Sequence, residues 1–165
     1  MRFQRLYDLH YEPLLAYARR RCRAEDEAQD VVSDAFLVLW RRRGQAPPDG
    51  EVPLWLYGVA KRVLSNRHRA AFRAQRVVDR LTQLRRSQTD VPDLVAQLGD
   101  VRAVMRSLAR LRDDEREIVL LSGWERLTAS EIATAIDCTP NAAAIRLHRA
   151  RKRLTNVFEQ ERQNC

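Results

Sequence analysis

The chain has 165 residues, 45% of them hydrophobic and 32% charged, which is enough apolar content to bury a core in one domain or two small ones and too much for a disordered polymer. Only 5 glycines and 6 prolines occur, and few stretches alternate with a period of two, so helices are expected to dominate and the fold class is all-α. The formal net charge of +8 calls for a polyanionic partner, either nucleic acid or an anionic membrane surface.

Lys61 and Lys152 are the only lysines among the 30 basic residues, and a GC-rich genome would give the same arginine bias, so it is not read wholly as function. No apolar run approaches the roughly 18–20 residues of a membrane span, and the start MRFQRLYDLHYEP lacks the apolar core of a signal peptide. A cytoplasmic chain without membrane insertion is the expectation. Cys22, Cys138 and Cys165 are odd in number and widely spaced, which suits neither a disulfide framework nor a zinc site, so they read as packing or terminal residues.

In chain order, helices are expected at about 2–22, 25–43 and 53–76. In the second, Ala28, Val31, Val32, Ala35, Leu39 and Trp40 recur at three- and four-residue steps and form one buried stripe. Its start carries Glu25, Asp26, Glu27 and Asp30, suited to the positive end of a helix dipole. The segment Gly44 to Pro53, with Pro47-Pro48 inside it, breaks any helix.

The third helix is apolar and aromatic at first (Leu54, Trp55, Leu56, Tyr57, Val59, Ala60, Val63, Leu64) and basic afterwards. Lys61, Arg62, Arg67, Arg69, Arg73 and Arg76 occur in it with no acidic residue among them, while residues 25–34 hold five acids. Such a helix combines phosphate attraction with aromatic rings on which unpaired bases stack. Trp55 and Tyr57 are equally suited to core packing, because the segment is apolar on too many sides to assign faces.

From 77 to 98 the pattern weakens around Ser87-Gln88-Thr89-Asp90-Val91-Pro92, and a flexible linker is expected there between domains at 1–76 and 99–165. Helices follow at about 93–111 and 113–123. Thr128-Ala129-Ser130-Glu131 fits a capping box that opens a helix to Ile136. After Asp137-Cys138, Thr139-Pro140 supplies a second N-cap with proline at the first helical position, and a last helix runs to about 160.

Two helices joined by so tight a turn form a helix-turn-helix. In the second of them Ala143, Leu147, Ala150 and Leu154 share a narrow arc that faces the core. The opposite arc carries Asn141, Ile145, His148, Arg149 and Lys152, with Arg146, Arg151 and Arg153 on its flanks. Short groups near the N-terminus to meet base edges, and cations further along to meet phosphates, are what a major-groove reader needs. No clustered carboxylates, metal-ligand spacing or nucleophile–base pair supports an enzyme or a cofactor.

These residues together resemble the extracytoplasmic-function sigma factors, the minimal sigma family that directs bacterial RNA polymerase to promoters. The resemblance rests on Leu6-Tyr7, Leu14 to Ala18, Ala24-Glu25-Asp26 with Gln29-Asp30, Ala35 to Trp40, Trp55-Leu56-Tyr57 with Val59-Ala60 and Asn66. It continues through Arg116 to Leu121, Trp124-Glu125, Glu131-Ile132-Ala133 and Arg146 to Arg151. It implies that the helix carrying Glu25, Asp26, Gln29, Asp30, Asp34 and Trp40 docks on core RNA polymerase. It implies that the mid-chain helix, with Trp55, Tyr57, Lys61, Arg62, Asn66, Arg67, Arg69 and Arg73, takes unstacked minus-ten promoter bases, aided by the Pro47-Pro48 loop. The last helix, with Asn141, Ala144, Ile145, Arg146, His148, Arg149 and Lys152, then reads minus-thirty-five promoter DNA. An anti-sigma factor clamping the two domains is a further implied partner.

This chain departs from the family at Arg62, where asparagine is frequent, at Arg126 and Asp137, where glycine is common, and at Ala144, where a polar or basic residue is usual. Arg62 and Ala144 lie close to the expected reading surfaces, so the promoter sequence stays open. A stand-alone helix-turn-helix regulator, dimerising through residues 1–76, is the alternative reading.

Overall fold

The computed structural model describes residues 2–82 and 99–163, and every regular element in them is a helix. The chain divides into an N-terminal and a C-terminal unit. In the first lie α1 (Arg2–Arg19), α2 (Glu25–Arg41), a single 3-10 turn (Asp49–Glu51) and α3 (Val52–Thr82). The second holds α4 (Gly99–Ala109), α5 (Asp113–Gly123), α6 (Ala129–Ile136) and α7 (Pro140–Gln163).

Each of α1, α2 and α3 packs against the other two. The stripe expected on α2 is buried at Ala28, Val31, Val32, Ala35 and Leu39, joined by Phe36, whereas Trp40 stays 47% exposed at its end. From α1 come Leu14, Leu15 and Tyr17, and from α3 come Val52, Leu56, Val59, Ala60 and Leu64. Full burial of a side chain of the leucine or valine class stabilises by about 1.5–3 kcal/mol, so this stripe is what holds α2 in place. Pro13 interrupts the α1 ladder, yet the carbonyl it orphans belongs to Leu9, a residue 63% exposed, where solvent is at hand.

α3 continues to Thr82, past the expected end at Arg76, because nothing between Arg76 and Thr82 breaks a helix. The remainder of the expected linker, 83–98, and the expected start of the next helix at 93 lie outside the described residues. Cys22 is buried in this unit, and burial pushes its thiol up to about 12, so it is a neutral packing residue. Cys138 is half-buried and unpaired, and Cys165 lies outside the described residues.

In the C-terminal unit α7 packs on α4, α5 and α6. The α5 start is fixed by Glu115, whose carboxylate accepts from the Arg112 backbone N–H at 3.1 Å and from the Arg112 guanidinium at 2.8 Å. At the other end of α7 the carboxylate of Glu161, only 10% exposed, meets Arg110 at 2.9 Å and Arg106 at 3.3 Å. Both arginines are about half exposed and rehydrate easily, so Glu161→Ala is expected to cost about 1 kcal/mol. Urea denaturation of the variant checks this.

Arg126 and Asp137 have positive φ, 55° and 59°, at the positions where the resembled family commonly has glycine. The reason is steric: the left-handed region costs a non-glycine residue roughly 1–2 kcal/mol, and aspartate less than most. Arg126→Gly is expected to stabilise the chain by about 0.5–1 kcal/mol after the greater unfolded-state freedom of glycine is subtracted. A rise in the midpoint of urea denaturation measures it.

Candidate nucleic-acid interface

The helix-turn-helix is built from local capping. Thr128 Oγ1 accepts from the Glu131 N–H at 3.3 Å, and the Glu131 carboxylate accepts from the Thr128 N–H at 2.8 Å, the reciprocal capping box expected. The bonds its carboxylate accepts from the Thr128 N–H and from the Thr128 hydroxyl, each 2.8 Å, hold the Glu131 carboxyl below its usual range. α6 closes at Asp137 in the left-handed conformation, with Cys138 N–H bonded to Ala133 O at 3.0 Å. Thr139 Oγ1 then accepts from Ala142 N–H at 3.2 Å, and α7 starts at Pro140.

Ala143, Leu147 and Ala150 are buried and Leu154 is half-buried. The opposite side is open: Asn141, Ala144, Ile145, Arg146, His148, Arg149 and Lys152 are all exposed, Ile145 to 44%. The flanking cations are partly engaged within the unit, with Arg151 donating to Ser122 Oγ at 2.7 Å and Arg153 lying 3.6 Å from Glu115. Among the described residues Arg146, Arg149 and Lys152 form no ion pair, which leaves their charge to an outside anion.

The α3 candidates are less uniform. Trp55 and Tyr57 are half-buried, and the Tyr57 ring packs 5.0 Å from that of Tyr17, which has no exposed surface. That contact engages Tyr57 in core packing, one of the two alternatives the sequence leaves open, while part of its surface stays exposed. Lys61 is half-buried, and Arg62, Asn66 and Arg69 are exposed. Arg69 donates to Asn66 Oδ1 at 2.9 Å and to Ser65 O at 3.2 Å. Arg67 is turned away from these, donating to Asp34 at 2.7 Å and Asp30 at 3.4 Å on α2. Arg73 lies on α3, and its side chain is outside the described set.

Ahead of α3, Asp49 receives Arg2 at 2.7 Å and also Arg5, both from the first turns of α1, while Arg2 donates to the Pro47 carbonyl. These arginines hold the Asp49 carboxyl below its ordinary range and tie down the proline loop. Sequence reading missed them because the partners are more than forty residues apart.

On α2, Glu25, Asp26, Gln29 and Asp30 are exposed, and Asp34 is half-buried under Arg67. Glu25 accepts from Arg19 at 2.8 Å, which lowers its carboxyl pKa, and from Gln29 at 3.4 Å. The Asp26 carboxylate caps the Glu27 N–H at 2.9 Å. Trp40 stands edge-on to Phe3, with centroids 5.0 Å apart, and the Arg43 guanidinium lies 4.9 Å from its ring. Leu37, 43% exposed, extends this surface. At about 100° per residue Leu37 falls about 180° from Ala28, so spacing alone puts it opposite the buried stripe, a signal the sequence reading did not use.

Residues 6–83 match the family described as sigma-70 region 2, and residues 101–154 match sigma-70 region 4, one in each unit. The RNA polymerase sigma factor CarQ of Myxococcus xanthus is 30% identical over 160 residues, covering 94% of this chain and 88% of its own length. The extracytoplasmic-function sigma factor SigL of Mycobacterium tuberculosis is 28% identical, with the same coverage of 94% and 88%.

The chain belongs to the extracytoplasmic-function sigma factors. As such, this sigma factor binds core RNA polymerase and directs promoter-specific transcription initiation, the work of non-enzymatic initiation factors. Matches to sigma regions in both units displace the stand-alone regulator. Its fold is similar to that of the sigma factor RpoE solved with the anti-sigma factor NepR from Bartonella quintana, at 23% identity, TM-score 0.71, and coverage of 95% of this chain and 96% of that one. Among the described residues no helix of this sigma factor is long and apolar enough to cross a membrane. The end of α7, with Glu161, lies beyond the region 4 match.

Proposed function

We propose a division of labour among three helices. α2 docks on core RNA polymerase through Glu25, Asp26, Gln29, Asp30 and Trp40. α3 and the Pro47-Pro48 loop take minus-ten bases through Trp55, Lys61, Arg62, Asn66 and Arg69. α7 reads minus-thirty-five duplex through Asn141, Ala144, Ile145, Arg146, His148, Arg149 and Lys152. The observation that carries the proposal is the split of α7 into a buried arc of Ala143, Leu147 and Ala150 and an exposed arc of seven polar, apolar and cationic residues. Leu37 and Trp40, exposed and three residues apart on α2, form an apolar patch that favours cover by a partner.

In this reading the protein works in the cytoplasm, has no catalytic activity of its own, and separates its two DNA-binding units by a linker that threads along the polymerase. The N-terminal unit, read from sequence as 1–76, takes in the rest of α3. Control by an anti-sigma factor that covers α2 and the basic helices is part of the proposal, supported by fold likeness to a sigma factor solved with such a partner. Recovery of no such partner on pull-down from the host cell, with the free protein constitutively active, overturns that part.

Separable variants test the division. Asp30→Ala and Trp40→Ala are expected to weaken retention by core polymerase while leaving duplex binding by the free chain intact, and Arg149→Ala does the reverse. Equal effects of all three on both measurements contradict it.

A further inference from the structure

By residue type Arg67 groups with the promoter-facing cations, yet its spacing places it on another arc of α3. At about 100° per residue, Arg67 falls about 20° from Leu56, between Val63 and Ala60 on the inward arc of α3. On the same count Lys61, Ser65, Arg69 and Arg62 lie about 140–240° from Leu56. The geometry agrees: Leu56, Ala60 and Leu64 are buried, and the next group on their side is Arg67, whose side chain is 33% exposed.

Two carboxylates four residues apart on α2 receive it, Asp34 at 2.7 Å and Asp30 at 3.4 Å. A planar guanidinium presents its donors in a fixed fork, so bonding to both fixes the azimuth of α3 as well as its distance from α2. Past Leu64 the inward arc has no large apolar side chain until beyond Arg67, and the ion pair takes over where apolar packing stops.

We infer that Arg67 is a positioning residue that locks the azimuth of the promoter-facing helix α3 against α2 through Asp34 and Asp30, and that Arg67 and Asp34 contact neither DNA nor polymerase. This rests on the proposed roles of α2 and α3 and narrows them: the minus-ten face centres on Lys61, Arg62 and Arg69, and the docking face loses Asp34. Neutralising Arg67 removes the lock without removing a phosphate ligand.

The test is a charge exchange in the full-length chain, assayed as holoenzyme. Arg67→Asp is expected to lower the yield of open promoter complex, read by permanganate reactivity of unpaired thymines. The double variant Arg67→Asp with Asp34→Arg restores it, with core affinity unchanged. For binding of single-stranded minus-ten DNA, Arg67→Gln leaves the log–log salt slope unaltered, where loss of a phosphate ligand on single strands lowers it by about 0.7. A double variant that binds core and still fails to open the promoter makes Arg67 a DNA ligand. One that fails to bind core makes Asp34 a docking residue. Either overturns the inference. Failure of the underlying reading looks different: Arg62→Ala and Arg69→Ala then leave opening unaffected as well.

Discussion

Tyr17→Ala is expected to cost the N-terminal unit about 3–5 kcal/mol, the range for truncating a buried aromatic residue, a large share of the roughly 5–15 kcal/mol that a small domain holds in total. Tyr17 has no exposed surface. Its ring lies 5.0 Å from Tyr57 and carries the Arg21 guanidinium 3.6 Å from its centroid. Removing it empties the junction of α1 with α3 and leaves that cation without its aromatic face. Tyr57→Ala is expected to cost less, because Tyr57 is half-buried, and to reduce promoter opening only in step with the loss of folded protein. Near-ultraviolet circular dichroism with urea denaturation gives the first quantity, and permanganate footprinting normalised to folded holoenzyme gives the second. A Tyr57→Ala protein that is as stable as the parent but cannot open promoters would make Tyr57 a base-stacking residue instead.

The second large effect belongs to α7, where substitutions on one exposed arc are expected to separate into two kinds. Arg149→Ala and Lys152→Ala each weaken duplex binding evenly across sequences and lower the log–log salt slope by about 0.9, the counterion-release increment for one phosphate contact. Asn141→Ala and Ile145→Ala change which bases are preferred, at about 1–3 kcal/mol per base pair, with little change in slope. Selection from randomised duplexes at two salt concentrations measures both. Equal, sequence-independent losses at all four positions would mean that the reading arc is assigned to the wrong side.

How legible each helix was depended on how cleanly its apolar spacing stood out. On α7 Ala143, Leu147, Ala150 and Leu154 recur at four-, three- and four-residue steps, so spacing divides the helix despite the apolar run from Ala142 to Ile145, and the burial of Ala143, Leu147 and Ala150 follows it. The same holds for the caps at Thr128 and Thr139, whose bonds are local. α3 was harder because its first half is apolar on several sides, and residue type then outweighed spacing at Arg67.

What sequence could not show is held by partners distant along the chain. Asp49 meets Arg2 and Arg5, Glu161 meets Arg106 and Arg110, and Arg67 meets Asp30 and Asp34. No period or local motif announces such pairs, since they form only once helices pack. The strained backbone at Arg126 and Asp137 was visible in advance as a departure from glycine, and its cause required the φ angles.

In vitro transcription from a genomic fragment library with core polymerase tests the division of labour most directly, comparing this sigma factor with its Arg62→Ala and Ile145→Ala variants. The parent chain is expected to yield transcripts whose start regions share two sequence blocks. Ile145→Ala then alters only the upstream block and Arg62→Ala only the downstream one. Transcripts in which either substitution changes both blocks alike, or neither, would contradict the assignment of separate promoter elements to α7 and α3.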